Sequence, residues 1–150
     1  MSGARFGHVN LVAADWRRFV KFYSEAFGCT ATGTERDLHG EALERGTGLP
    51  GAHMRGVHLR LPGHDENGPT LEIFSYERNA ANSLATPNRV GFGHIAFVVA
   101  DVEAARRSVL AAGGSQHGEA VTTAANGRKV TWVYMRDPEG NLVELQAWSD

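Results

Sequence analysis

Between residues 6 and 13 two sets of side chains alternate, His8, Asn10 and Val12 with Val9, Leu11 and Ala13. That is the two-residue period of a strand with one covered face. Asp15 then stands where a helix N-cap belongs, and Trp16, Phe19, Val20, Tyr23 and Phe27 recur at helical spacing as far as Gly28, which stops the helix. A second strand is predicted from about Cys29 to Arg36. Gly40 to Gly51 reads as a Gly-rich loop with a helical turn. Val57, Leu59 and Leu61 alternate with Gly56, His58 and Arg60 in a third strand. The run from Pro62 to Pro69 is a turn, and Thr70 to Tyr76 make a fourth strand.

The order then repeats. A strand from about Gly93 to Val99 leads to a capping Asp101. A helical stripe of Val102, Ala105, Val109 and Ala112 ends at Gly113-Gly114. Strands follow near Glu119–Thr123 and Lys129–Met135, then the tight turn Asp137-Pro138-Glu139-Gly140, then a last strand from Asn141 to Trp148. Each half reads βαβββ. The repetition extends to the residues: Phe6-Gly7-His8-Val9 through Asp15 returns as Phe92-Gly93-His94-Ile95 through Asp101, and Leu71-Glu72-Ile73 returns as Val143-Glu144-Leu145. The chain therefore reads as one domain of two modules, about 5–77 and 91–150, joined by a mostly polar linker of about 78–90.

Composition narrows the partners. The 42% apolar and 21% charged residues are ordinary for a soluble globular protein. Fifteen basic against 17 acidic residues give a net charge of -2 with no basic run, so neither nucleic acid nor an anionic membrane is expected as a partner. No apolar stretch approaches the roughly 20 residues needed to span a bilayer, and no signal peptide is expected. The single cysteine, Cys29, cannot form an internal disulfide, which fits the cytoplasm.

Strand parity concentrates the chemistry. Val9, Leu11, Ile95, Phe97, Leu71, Ile73, Val143 and Leu145 take the faces expected to pack on the helices, so His8, Glu72, His94 and Glu144 take the opposite faces. A carboxylate inside a sheet needs a partner, and a divalent cation is one. Two imidazoles and two carboxylates suit Zn, Ni, Co, Mn or Fe(II), with coordination positions left open for substrate oxygens. If the sheets curl, their concave faces can meet around a cavity holding all four residues. His58 and Arg60 are candidate substrate contacts, Arg60 for a carboxylate or phosphate. Asn10, Phe74, Tyr76, Gln146 and Trp148 share the ligands' parity, and Asn10 and Tyr76 are taken with His58 and Arg60 as candidate substrate-binding residues. Trp132 and Tyr134 share one face of their strand, which parity alone does not identify. His39, His53, His64 and His117 fall in expected loops. The run Gly46 to Gly51 lacks the lysine of a phosphate-binding loop and is expected to act as a flexible cover.

Three segments carry a family resemblance: Gly7-His8-Val9 with Asp15, Phe22-Tyr23 and Phe27-Gly28; Gly93-His94-Ile95-Ala96-Phe97 with Asp101; and Arg136-Asp137-Pro138-Glu139-Gly140-Asn141 followed by Val143-Glu144-Leu145. With these the chain resembles the vicinal oxygen chelate superfamily of glyoxalase I, methylmalonyl-CoA epimerase, extradiol dioxygenases, and fosfomycin- and bleomycin-resistance proteins. The resemblance implies an α+β fold in which two βαβββ modules form curled mixed sheets around a central metal cleft. It maps the metal positions onto His8, Glu72, His94 and Glu144. Its His/Glu/His/Glu order is that of bacterial-type glyoxalase I, and Glu72 stands where the epimerases usually have Gln. A divalent-metal lyase or isomerase is implied, moving a proton next to a metal-chelated carbonyl, with Glu144 as base and Glu72 as the other candidate acid or base. Glutathione is not implied, because Val12 and Tyr76 stand where the glutathione-dependent enzyme typically has Arg and Asn. Two alternatives stay open: an extradiol-type dioxygenase using His8, His94 and Glu144, and a metal-free protein that sequesters a drug. A homodimer is expected by the same resemblance, the modules pairing within one chain or across two.

Overall fold

The computed structural model describes residues 3–150. Among them, three helices and nine strands run in the order β1 (His8–Val12), α1 (Trp16–Phe27), β2 (Thr30–His39), α2 (Glu41–Thr47), β3 (His53–Arg60), β4 (Thr70–Tyr76), β5 (His94–Val98), α3 (Val102–Ala111), β6 (Ser115–Gln116), β7 (Val121–Ala125), β8 (Arg128–Arg136) and β9 (Leu142–Ser149). The chain forms two compact units, one of residues through Ser24 with Gly28–Ala81, the other of Glu25–Phe27 with Asn82–Asp150. No helix of the described residues is long and apolar enough to cross a membrane.

The first unit carries a mixed four-stranded sheet in the order β1-β4-β3-β2, with β1 parallel to β4 and the other pairs antiparallel. Val57 and Leu59 on β3 and Leu71 and Ile73 on β4, which the alternation placed on the apolar side, are buried with Phe19, Phe22 and Tyr23 of α1, and Phe74 of the opposite parity is buried as well. Tyr23 meets both phenyl rings edge-on, with centroids 5.2 Å from Phe19 and 5.0 Å from Phe22. Asp15 caps α1 by accepting from the backbone N–H groups of Arg17 and Arg18. Gly28 ends the helix at φ 72°, a left-handed conformation that glycine adopts without strain.

The second unit repeats this plan. Its mixed sheet runs β5-β9-β8-β6, with β7 also on β8, and α3 packs on β8 and β9. Asp101 caps α3 through the N–H groups of Glu103 and Ala104. The expected turn is present. Asp137, 3% exposed, accepts from the N–H groups of Glu139 and Asn141 and from the Asn141 amide, which fixes the entry into β9.

Three details differ from the sequence reading. The helical turn expected within the Gly40–Gly51 loop is longer than one turn, the helix α2, closed by Gly48 at φ 70°, so the first residues of the supposed cover are helical. His39 and His53 are paired strand residues of β2 and β3 rather than loop residues. The second strand of the second module is broken into β6 and β7, which follow one another along the same edge of β8. The first module has its counterpart: β2 shifts register between Thr32 and Arg36, opposite His58 and Gly56.

Candidate metal and proton-transfer site

In the first unit, three neighbouring strands each bring one side chain to the same face. The registers place Asn10, Glu72 and His58 side by side across β1, β4 and β3, with His8, Thr70 and Arg60 in the next row. Glu72 is the centre of this group. Its side chain is 14% exposed, and both carboxylate oxygens are engaged. Oε2 lies 2.8 Å from His58 Nε2. Oε1 accepts from the Asn10 amide at 3.0 Å and lies 3.6 Å from His8 Nε2. His8 and His58 meet edge-on with centroids 5.4 Å apart. His58 Nδ1 lies 2.8 Å from the hydroxyl of Thr70. Burial holds the His58 imidazole below its ordinary pKa, against the opposing pull of the Glu72 carboxylate.

The second unit builds the equivalent rows from β5, β9 and β8: Ala96, Glu144 and Tyr134 in one, His94, Leu142 and Arg136 in the next. His94 Nε2 lies 3.0 Å from Glu144 Oε2, and the Glu144 side chain is 17% exposed. The Tyr134 ring lies 5.1 Å from that of His94, and burial, then the Glu144 charge, push the phenol above its ordinary pKa. Tyr134 therefore occupies the register position of His58, and Ala96 that of Asn10. The face shared by Trp132 and Tyr134, open to the sequence reading, is the Glu144 face.

The other expected residues take different positions on the two sheets. Asn10, expected as a substrate contact, donates to Glu72 Oε1 and to the Glu72 carbonyl and so holds the carboxylate. Arg60 is exposed at the end of β3. Phe74 is buried next to this group. Tyr76 lies four residues beyond Glu72, where its backbone N–H donates to Asn79. There it lines an open groove of about 430 Å³ together with Trp16, Arg17, His53, Arg55 and Glu77. Trp148 donates its indole N–H to Gln146 at the end of β9. Sequence reasoning missed Thr70 as the support of His58, although Thr70 shares the parity of Glu72.

The donor set of the first unit fits a divalent cation. One ligand atom from each of His8, His58 and Glu72 lies within 4.8 Å of the other two, and imidazole with carboxylate is a ligand chemistry that Zn and its neighbours accept. His8, Glu72, His94 and Glu144 are delivered as two in-phase His–Glu pairs, one per sheet.

Comparison with known proteins agrees with this plan. Residues 5–145 match the Glyoxalase/Bleomycin resistance protein/Dioxygenase superfamily. The chain is 27% identical over 145 residues to a protein of Vibrio parahaemolyticus named "Probable lactoylglutathione lyase", covering 97% of this chain and 91% of that one. It resembles the crystal structure of a glyoxalase family protein from Bacillus cereus with a TM-score of 0.82 at 21% identity, over 100% of this chain and 99% of that one. A glyoxalase family protein from Enterococcus faecalis gives a TM-score of 0.64 at 23% identity, over 97% and 99%. With duplicated βαβββ modules and a family match along nearly its whole length, the chain belongs to the Glyoxalase/Bleomycin resistance protein/Dioxygenase superfamily.

Proposed function

We propose that this protein is a divalent-metal-dependent lyase or isomerase of glyoxalase-like type, acting on a small substrate by moving a proton at the carbon next to a carbonyl. His8, Glu72, His94 and Glu144 are the proposed ligands, the modules being drawn from one chain or from two copies of a homodimer. A cation held there polarises the carbonyl and offsets the negative charge that develops on its oxygen.

The observation that carries the reading is the unequal company of the two glutamates. Glu72 is tied on both oxygens by Asn10 and His58. The neighbour of Glu144 in the Asn10 position is Ala96, which has no side-chain donor. Both Glu72 oxygens are already engaged by these side chains, which leaves neither open toward a substrate proton. Glu144 is thus the better general base, and Glu72 the better fixed ligand. In the proposed step Glu144 takes the proton from the carbon and returns it to the same or the adjacent carbon. Asn10 and His58 keep Glu72 in place, and Arg60 is proposed to pair with a carboxylate or phosphate of the substrate. The name of the Vibrio relative points to a glutathione adduct, but Val12 and Tyr76 support a substrate without that thiol. The reducing cytoplasm is the proposed setting, on the strength of one free, buried cysteine.

The test is solvent-deuterium uptake followed by NMR, using metal-loaded protein and a panel of α-hydroxycarbonyl and 2-substituted acyl compounds. Uptake that is lost in metal-loaded Glu144→Gln is the expected result. Full uptake by Glu144→Gln overturns the assignment of the base. Oxygen consumption with catechols and no deuterium uptake would replace the proposal with the dioxygenase reading.

A further inference from the structure

We propose that His58 is a third metal ligand of the first module, so that His8, His58 and Glu72 hold a divalent cation on a single sheet without help from His94 or Glu144. The inference rests on the metal part of the function proposed above, and not on the role of Glu144 as base.

Geometry supports it. Imidazole nitrogen and carboxylate oxygen bind zinc-like cations at about 2.0–2.2 Å, so adjacent ligand atoms lie about 2.9 Å apart in an octahedral shell and about 3.4 Å apart in a tetrahedral one. His58 Nε2 to Glu72 Oε2 is 2.8 Å and His8 Nε2 to Glu72 Oε1 is 3.6 Å, so a carboxylate binding through both oxygens would meet both imidazoles, and one ligand atom from each of the three residues lies within 4.8 Å of the others. Side-chain support points the same way. A ligating imidazole needs its second nitrogen held by a partner that fixes ring and tautomer. Thr70 holds His58 Nδ1 at 2.8 Å. Its hydroxyl can donate to a bare Nδ1 or accept from Nδ1–H, so His58 can turn the Nε2 lone pair toward a cation without losing that hydrogen bond. Asn10 gives Glu72 the same kind of support.

An ordinary His–carboxylate ion pair is the competing account. It explains the His58–Glu72 distance but not the approach of His8 to the same carboxylate. Nor does it account for the contrast with the second sheet, where Tyr134 and Leu142 stand at the positions of His58 and Thr70. The three-ligand set is therefore particular to the first module. A cation fixed there frees Glu144 from the task of retaining the metal.

The experiment titrates the metal-stripped full chain with Co(II), following the visible absorption of the bound ion, and counts imidazoles on the Zn-loaded protein by X-ray absorption. The wild type and the His94→Ala/Glu144→Ala double variant should each bind one ion. The double variant should show two imidazoles. His58→Leu should weaken Co(II) binding at least tenfold in both backgrounds, with the far-UV circular dichroism unchanged. Thr70→Val, which leaves all three ligands in place, should weaken it less. Co(II) affinity of His58→Leu equal to wild type overturns the proposal. So does a double variant that no longer binds Co(II), a result that leaves the four-ligand reading and the role of Glu144 standing. If His58→Leu does not fold, an imidazole count of one in the double variant overturns the proposal by itself. A wild type that takes up no Co(II) removes both readings.

Discussion

Glu72 and Glu144 occupy equivalent rows of two sheets, and their neighbours suit them to the different duties proposed for them. Asn10 and His58 fix the first, whereas Ala96 and Tyr134 flank the second. Loss of a positioned general base typically costs about 10²–10⁴ in rate. Glu144→Gln is expected to lose deuterium exchange by that order while retaining metal. Glu72→Gln is expected to lose metal first, with exchange falling in proportion to occupancy and recovering at high metal concentration. Parallel measurement of metal content and exchange rate separates the two outcomes. Cys29 allows a second prediction at this scale. It is 1% exposed, and burial pushes its thiol from 9.0 up to about 11. The thiolate is the reactive form, so at pH 8 its population falls about a hundredfold below that of a free cysteine. A chromogenic disulfide reagent should leave the native protein almost unlabelled and react with one thiol per chain in urea.

The elements most legible in the sequence were those whose ends are marked by chemistry as well as by period. Asp15 and Asp101 each accept two backbone N–H groups at 2.8–3.2 Å, and Gly28 closes α1. Replacing either aspartate by alanine should cost about 1 kcal/mol, read as a fall of roughly 2–4 °C in melting temperature for a domain of this size. No change for Asp101→Ala would mean that α3 is held by packing alone. The Thr70–Tyr76 strand was read to the residue because Leu71 and Ile73 are buried on one face and Glu72 is not. Strands β6 and β7 were less legible, since Ser115–Gln116 and Val121–Ala125 hold a single large apolar residue, Val121, and so carry little apolar alternation. The site was legible to the same degree. Parity put His8, His58 and Glu72 on one face of the first sheet and His94 with Glu144 on one face of the second, as their contacts have it. The His58–Glu72 contact, the Thr70 support and the place of Tyr134 depend on cross-strand register. Register is set by the hairpin loops and by the bulge, which the period of a single strand does not encode.

At the scale of the whole chain, the duplication leaves apolar side chains uncovered in matching places. Phe6 and Phe92 are 66% and 94% exposed, and Val12 and Val98 are 45% and 72% exposed. Each pair is separated by the offset of 86 residues that relates His8 to His94. Single exposed apolar residues need no explanation, but the same ones exposed in both copies of a repeat form a pattern that a two-fold assembly would cover. The net charge of -2 offers little repulsion against association. A stable interface needs roughly 1,000 Å² or more, so a dimer would have to bury more surface than these four side chains provide. Light scattering on the eluted protein is expected to give twice the 16.2 kDa chain mass at micromolar concentration. Phe6→Glu with Phe92→Glu is expected to halve it while preserving the circular dichroism spectrum. A wild-type mass of one chain would overturn the dimer. The two His–Glu pairs proposed to share a cation would then have to come from one polypeptide, and the metal content of the monomer would decide whether a single chain suffices.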